Sequence, residues 1–189
     1  MHKKFHSYLG TVCIMTKDIL VDYFHHHRHS LSDIPSLIVE MREFTQHSIV
    51  GIRNHPEIKK EWLGNPTFKD NFDYEQDFAT TIRDYIITTP TMQKKYGVID
   101  LLVMFCYTLY SHGVIEKTFD IGQNFGINEH GEIVLIDLGE LVFNKKFIEE
   151  QLTLRVWAKP SITAFFPSNE LCGYFIEKMD AVFSFYKKP

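Results

Sequence analysis

Residues 112–127 read His112-Gly-Val-Ile-Glu-Lys-Thr-Phe-Asp120-Ile-Gly-Gln-Asn124-Phe-Gly-Ile127, and residues 133–139 read Ile133-Val-Leu-Ile-Asp137-Leu-Gly139. Two strand-like runs, 124–127 and 132–136, flank the sequence Asn128-Glu129-His130-Gly131. Asn and Gly tolerate the positive φ that a tight turn requires. The stretch therefore predicts a loop that leads into a β-hairpin.

The predicted hairpin brings two polar side chains to one of its ends. Asn124 lies just before the first strand and Asp137 just after the second, so an amide oxygen and a carboxylate come close together. Oxygen ligands of this kind suit Mg²⁺, which keeps several waters and takes further ligands from phosphates. We therefore expect Asn124 and Asp137 to bind a metal ion. The alternative for Asp137 is an aspartate that ends a strand and begins the turn before Gly139.

An apolar segment directly before the loop, 98–112, predicts a buried helix with Gly113 as its C-terminal cap. We expect this helix to pack beneath the hairpin, since its apolar residues need a partner surface. Irregular structure or short helices are expected over 51–73, which is interrupted by proline and glycine. The pattern predicts further helices at 37–44, 78–87, 143–154 and 169–186.

The bulk properties indicate one globular domain and exclude some partners. The chain has 189 residues, of which 44% are hydrophobic, a length and composition that suit a single core. A net charge of −4 gives no positive field for a polyanion, so nucleic acid is not expected as a partner. No apolar run approaches the roughly 20 residues of a membrane span, so no membrane partner is expected. The three cysteines, Cys13, Cys106 and Cys172, are odd in number and far apart in sequence, which indicates a reducing, cytoplasmic setting.

The sequence gives less support to other candidate metal-binding and catalytic sites. Four histidines, His25, His26, His27 and His29, could bind a transition metal, and the alternative is a solvated loop. Cys106 lies on the apolar helix and is interpreted as a core residue, because spacing indicates no His or Asn partner. The G-x-S-x-G and H-E-x-x-H motifs are absent from the sequence, so serine hydrolase and zincin chemistry have no support.

The stretch 112–141 resembles the catalytic and metal loops of the protein-kinase-like superfamily, including its aminoglycoside- and choline-kinase-like branches. In that family, a loop of the form H-R-D-x-x-x-x-N or H-G-D-x-x-x-x-N leads into a hairpin that ends in D-F-G or a variant. Asn124 matches the second metal ligand, and 137–139 matches the D-F-G element. The resemblance implies Mg²⁺ and ATP as cofactors, with Asp137 bridging the β- and γ-phosphates through the ion.

The resemblance also implies an α+β fold in a single domain, 1–189. Residues 30–189 would form a mainly helical kinase-like large lobe around the catalytic hairpin. Residues 1–24 would hold the partial small-lobe strands and the hinge, with two strands within 8–24 as a short N-terminal β-hairpin remnant of that lobe. No glycine-rich phosphate loop and no strand with a phosphate-gripping lysine precede them in the sequence. The exposed edge of such a lobe would invite a protein partner or a second copy of the chain.

One position departs from the family pattern in a way that affects catalysis. Counting back from Asn124, the catalytic aspartate falls on Phe119, which cannot accept a proton. The nearest carboxylate is Asp120, and a one-residue deletion in the loop could still bring it to a substrate hydroxyl as the catalytic residue. The alternative for Asp120 is a turn or cap residue.

Two functions follow from this pattern. The first is a kinase-like protein with a magnesium and nucleotide-phosphate site that is weak or inactive in phosphotransfer, a pseudokinase rather than an active phosphotransferase. The second is a catalytically inert protein–protein interaction module derived from a kinase-like helical lobe. Phe119 and the missing small-lobe strands favour inertness, whereas Asn124 and Asp137 favour a working metal site.

Overall fold

The computed structural model describes residues 4–6, 34–70 and 74–184. The strands predicted within 8–24 and the four histidines between residues 25 and 29 lie outside the described residues, as does Cys13. The described part is α+β, as the sequence indicated. Its helices are α1 (Ile34–Asn54), α2 (Ile82–Thr88), α3 (Met92–Ser111), α4 (Lys145–Thr153), α5 (Pro160–Thr163) and α6 (Asn169–Phe183), with single 3-10 turns at Lys60–Leu63 and Val156–Ala158.

Eight short strands form three small antiparallel sheets within the described residues. The strands are β1 (Lys4–His6), β2 (Thr67–Phe68), β3 (Tyr74–Asp77), β4 (Thr80–Thr81), β5 (Ile115–Glu116), β6 (Phe125–Ile127), β7 (Ile133–Leu135) and β8 (Leu141–Val142). The strand orders are β1-β3-β2, β4-β6-β7 and β5-β8. The last two sheets surround the loop and hairpin that the sequence singled out.

The buried helix before the loop is confirmed as α3. Leu102 and Cys106, which we expected in its core-facing surface, are 0% and 1% exposed. The helix ends as Gly113 predicts, because this glycine adopts a φ of 74°. Its N–H donates to the Tyr110 carbonyl, while the next N–H donates to the Leu109 carbonyl, each at 3.0 Å. This pair of bonds is a Schellman motif, which closes the helix and turns the chain toward β5.

The predicted hairpin is confirmed as β6 and β7, with Phe125 paired with Leu135 and Ile127 with Ile133. Asn128 contributes to the turn through its side chain, whose Oδ1 accepts hydrogen bonds from the N–H groups of His130 and Glu132. The turn's positive φ falls on the glycine, Gly131, at 79°. The local chemistry of the turn therefore fixes the register of the hairpin.

The core lies between α3, α6 and the hairpin. The ring of Phe105 on α3 meets that of Phe125 on β6 edge to face, with centroids 6.0 Å apart. On the α6 side, Tyr110 and Phe183 approach with centroids 4.9 Å apart. The expectation that α3 packs beneath the hairpin is met by these contacts. Among the described residues, no helix has the length and apolar character needed to cross a membrane.

Several elements differ from the sequence-based expectations. Helix α1 is longer than the predicted 37–44 and takes in residues 51–54, the start of the stretch for which irregular structure or short helices were expected. The short strands β1, β2, β4, β5 and β8 were not predicted. The helix predicted at 78–87 begins only at Ile82, where Thr81 caps it by accepting a hydrogen bond from the Asp84 N–H. Strand β3 was not predicted at all. It pairs with β1, which lies far away in sequence, and with β2, which has no clear sequence pattern.

Candidate functional site

The backbone brings Asn124 and Asp137 to the same end of the hairpin. The N–H of Ile136 donates to the Asn124 carbonyl at 2.9 Å, which extends the β6–β7 pairing by one step. Asp137 follows directly, and both polar side chains are partly buried. The predicted placement at one hairpin end is therefore met by the backbone. Convergence of the two side-chain oxygens on one ion stays a prediction.

The segment that begins at Asp137 is held by hydrogen bonds. Oδ1 of Asp137 accepts the Gly139 N–H at 2.8 Å, so this carboxylate does form the turn that we weighed as its alternative role. The N–H of Leu138 donates to the hydroxyl of Tyr74, a buried residue of β3, at 2.9 Å. Burial raises the pKa of Asp137 above its ordinary value, and the nearby Glu140 adds to this, while the Gly139 N–H opposes it.

Two further elements anchor the end of this segment. Ser48 of α1 accepts the Leu141 N–H at 2.8 Å and donates its hydroxyl to the Leu141 carbonyl at 3.2 Å. Strand β5 pairs with β8, so that Glu116 lies opposite Leu141. The Lys117 N–H also donates to the Glu140 carbonyl at 2.9 Å. The loop before Asn124 is thus hydrogen-bonded to the segment after Asp137.

The structure assigns a central place to Glu116, which the sequence analysis did not single out. Its side chain is 1% exposed, although glutamate is rarely buried unless it has partners. Oε1 accepts both the N–H and the hydroxyl of Thr118, at 3.0 and 2.7 Å, and Oε2 accepts the Asp120 N–H at 3.0 Å. One buried carboxyl group therefore organises the loop between β5 and β6.

The acidity of Glu116 is shifted by its surroundings. Burial raises the pKa of this carboxyl from 4.5 to about 8, against the opposing effect of the hydrogen bonds from Thr118. The carboxyl groups of Glu140 and Asp137 raise this pKa further, because ionising a third acid beside them is unfavourable. The site is therefore acidic in composition, and its protonation state is sensitive to pH near neutrality.

Phe119 and Asp120 take different positions in this loop. Phe119 is buried with a φ of 55°, a left-handed conformation that is unusual for a bulky side chain. Its ring lies 6.3 Å from that of Tyr110, between centroids. Asp120 is exposed, and its Oδ1 accepts the Gln123 N–H at 3.3 Å while its carbonyl accepts the Asn124 N–H at 2.8 Å. Asp120 therefore forms the turn that leads into β6.

The donor set at the hairpin end fits a hydrated magnesium ion. Oδ2 of Asp137 and Oδ1 of Asn124 accept no hydrogen bond within the described part of the chain, so each retains a free oxygen. The same part of the chain contains no group of three or more His, Cys, Asp or Glu side chains arranged to hold a metal. Mg²⁺ does not require such a cage, because it is commonly held by one or two carboxylates together with waters and phosphates.

His112 and Cys106 belong to α3 and its C-terminal end, and each is held by contacts within the fold. His112 lies at the end of α3, where its Nδ1 is 2.7 Å from the Thr108 carbonyl and its ring meets Trp62 edge to face. Burial raises the pKa of the Cys106 thiol far above its ordinary value, so this cysteine is a core residue without nucleophilic character. These environments are structural.

The sequence carries no clear signal for Glu116. It follows two apolar residues, Val114 and Ile115, and precedes Lys117. Val114, Ile115 and Glu116 are all buried, so a pattern of alternate inward residues would not have found it.

Comparisons of the chain with protein-family models, with curated proteins and with solved structures found no match.

Proposed function

We propose that this chain is a kinase-like protein that binds the phosphates of a nucleoside triphosphate through Mg²⁺ held by Asn124 and Asp137, and that its catalytic loop is degenerate. The observation that carries the proposal is the hydrogen bond from Ile136 to the Asn124 carbonyl. It brings Asn124 and Asp137 to one end of the hairpin, which supports the order and spacing of ligands that the resemblance implies.

The chemistry of the two side chains supports this choice of ligand. The Gly139 N–H fixes one oxygen of Asp137 and so orients the other, to which no residue in the described part of the chain forms a salt bridge. The amide oxygen of Asn124 and the carboxylate oxygens of Asp137 are hard donors, which favour Mg²⁺ over softer transition metals. When bound, the ion would neutralise phosphate charge, and the protein's own contribution is to orient these oxygens.

The loop before Asn124 supports the second half of the proposal. At the position of the family's catalytic base the chain has Phe119, whose ring is buried and cannot accept a proton. The neighbouring carboxylate of Asp120 is exposed and is engaged with the Gln123 N–H. A general base must reach the proton that it removes. We therefore infer a protein that binds a nucleotide and transfers its phosphoryl group poorly.

Calorimetric titration of the protein with ATP in the presence of Mg²⁺ tests the binding. We expect a heat of ATP binding in the presence of Mg²⁺. Most of this heat should be lost when EDTA is present or when Asp137 is replaced by alanine. The matched control is Glu129→Ala, because Glu129 lies in the turn at the other end of the same hairpin and is 71% exposed. Its binding should equal that of the wild type.

Two outcomes would contradict the proposal. An equal affinity in Asp137→Ala would show that any bound nucleotide lies elsewhere. Absence of heat with the wild-type protein would remove the nucleotide site and favour the inert interaction module that shares the same fold.

A further inference from the structure

A chain of hydrogen bonds connects buried Glu116 to the side chain of Asn124. The Thr118 hydroxyl donates its proton to Oε1 of Glu116 at 2.7 Å. Nδ2 of Asn124 donates to the same hydroxyl oxygen at 3.5 Å, a long and therefore weak contact beside the about 2.7–3.2 Å that is usual for N–H···O bonds. The contact between Asn124 and Glu116 therefore runs through one intermediate hydroxyl.

The direction of these bonds fixes which end of the Asn124 amide faces Thr118. A hydroxyl has one proton, and here it is committed to Glu116, so the oxygen can offer only a lone pair to Asn124. Only the NH₂ end of the amide can donate to that lone pair. In the opposite orientation, the carbonyl oxygen of the Asn124 amide would face the hydroxyl oxygen of Thr118, and both are acceptors. The NH₂ group of Asn124 would then face the proposed cation site. The chain of hydrogen bonds from Glu116 through Thr118 to Asn124, called the relay below, thus disfavours the flipped orientation of the Asn124 amide. It does so both at the amide oxygen and at the NH₂ group.

The carboxyl of Glu116 can serve this relay in either protonation state. Oε1 already accepts two hydrogen bonds, both from Thr118, as a carbonyl oxygen can. If the group is protonated, the proton can reside on Oε2, which accepts one hydrogen bond, from the Asp120 N–H, among the described residues. The orientation of the Thr118 hydroxyl therefore does not depend on the ionisation of Glu116.

We propose that Thr118 is a positioning residue which, held by Glu116, keeps the Asn124 amide oriented with its carbonyl oxygen toward the cation. The metal-binding consequence rests on the proposed function, whereas the orientation of the amide does not. Replacing Thr118 by valine keeps its shape and removes the acceptor, so that the amide can occupy both orientations. Loss of an outer partner of a metal ligand typically costs about 10- to 100-fold in metal affinity, and about tenfold is expected here.

The first measurement uses the metal-free protein. The side-chain NH₂ signals of Asn124 are followed by ¹⁵N–¹H NMR in the wild type, in Thr118→Val and in Thr118→Ser. We expect the valine variant to shift these signals and the serine variant, which keeps the hydroxyl, to retain them. Thr153→Val is the matched control, because this hydroxyl on α4 donates to the Glu149 carbonyl at 2.8 Å and lies away from the hairpin end. Thr118 and Thr153 are both exposed, so neither replacement removes core packing.

The second measurement is the calorimetric titration with ATP and Mg²⁺ on the same four proteins. We expect about tenfold weaker binding for Thr118→Val, recovery with Thr118→Ser and no change with Thr153→Val. Unchanged Asn124 signals in Thr118→Val would overturn the relay. Altered signals with unchanged affinity would overturn its role in binding. If the wild type binds no nucleotide while the signals shift as expected, the proposed function fails and the orientation of Asn124 by Thr118 stands.

Discussion

Glu116 places a carboxyl group inside the protein at the end of a two-residue strand. A buried carboxyl group is costly unless its oxygens are satisfied, and here three hydrogen bonds from Thr118 and Asp120 satisfy them. Between these two residues lies Phe119, in a left-handed conformation that costs about 1–2 kcal/mol for a side chain with a Cβ. The bonds on either side of Phe119 oppose that cost and explain how the conformation persists.

The raised pKa of Glu116 makes a prediction about stability and pH. The folded protein retains a proton on this carboxyl up to about pH 8, whereas the unfolded chain releases it near 4.5. Because the folded state binds the extra proton, the contribution of Glu116 to the free energy of unfolding falls as pH rises through this window. Glu116→Gln cannot titrate, and it loses one acceptor oxygen. We expect the variant to be less stable than the wild type at pH 5, with the deficit shrinking by pH 8.5.

Urea denaturation of the two proteins at several pH values measures this difference, and each unit of pKa difference is worth about 1.4 kcal/mol. The control is Glu149→Gln on α4, since that side chain is 59% exposed and its variant should follow the wild type at every pH. A deficit that stays constant or grows between pH 5 and pH 8.5 would contradict the prediction. It would mean that the three donors outweigh burial and keep the carboxyl ionised.

The role of Glu116 shows what the sequence could not reveal at this scale. The type and order of residues around Asn124 and Asp137 were readable, because a short hairpin fixes its ends by local chemistry. The burial of Glu116 depends on the pairing of β5 with β8, two strands of two residues each that lie on opposite sides of the hairpin in sequence. Strands so short carry no usable period.

At the scale of elements, predictability follows the same division between local and distant signals. Helix α3 has a long apolar pattern and a glycine cap, and the β6–β7 hairpin has a turn that defines its own register. Strand β3 has neither a long apolar pattern nor a turn that defines its register. Its Tyr74 and Gln76 are buried because of partners elsewhere, and Nε2 of Gln76 donates to the carbonyls of Leu63 and Leu135 at 3.0 and 2.9 Å. Such bonds form only once the tertiary structure exists.

Strand β3 also supports the segment that follows Asp137, and this leads to a prediction for Tyr74→Phe. The Tyr74 hydroxyl accepts the Leu138 N–H at 2.9 Å, and both residues are buried, at 2% and 0% exposed. Removing the hydroxyl leaves a buried N–H without its acceptor. The expected loss in the free energy of unfolding is about 1–3 kcal/mol, the usual cost of an unsatisfied buried donor.

Two measurements check the Tyr74→Phe variant. Urea denaturation should give the loss of stability, and amide hydrogen exchange should become faster at Leu138 than at the central residues of α3. Tyr107→Phe is a suitable control, because Tyr107 is 38% exposed and also keeps its ring. If exchange at Leu138 is as slow in Tyr74→Phe as in Tyr107→Phe, the Tyr74 hydroxyl does not hold this segment.

At the scale of the whole molecule, parts of the chain that are distant in sequence converge on the hairpin end. Tyr74 from β3, Ser48 from α1 and Glu116 from β5 each contact the segments that flank Asn124 and Asp137. The class of the fold is α+β, as the resemblance implied, and the apolar patterns also predicted helices and a hairpin. The kinase-like arrangement of lobes stays a prediction, since the strands expected within 8–24 lie outside the described residues.

This architecture leads to the prediction that the protein shows little or no phosphotransfer, even if it binds Mg²⁺ and a nucleotide. Phosphoryl transfer depends almost wholly on positioning and on neutralisation of charge. General-base assistance typically contributes about 10²- to 10⁴-fold, and under the proposed kinase-like function the position of the base falls on Phe119, whose ring is buried. A bound metal ion would not replace that assistance.

Incubation with labelled ATP, Mg²⁺ or Mn²⁺ and a broad panel of protein and small-molecule acceptors should therefore leave label transfer at the background level of an Asp137→Ala control. An active kinase in the same assay shows that the acceptors and label are competent. Robust transfer by the wild type that disappears in Asp120→Asn would show the prediction wrong. In that case the Asp120 carboxylate would have to leave the Gln123 N–H and reach the acceptor hydroxyl, and the shortened loop would be a working catalytic loop.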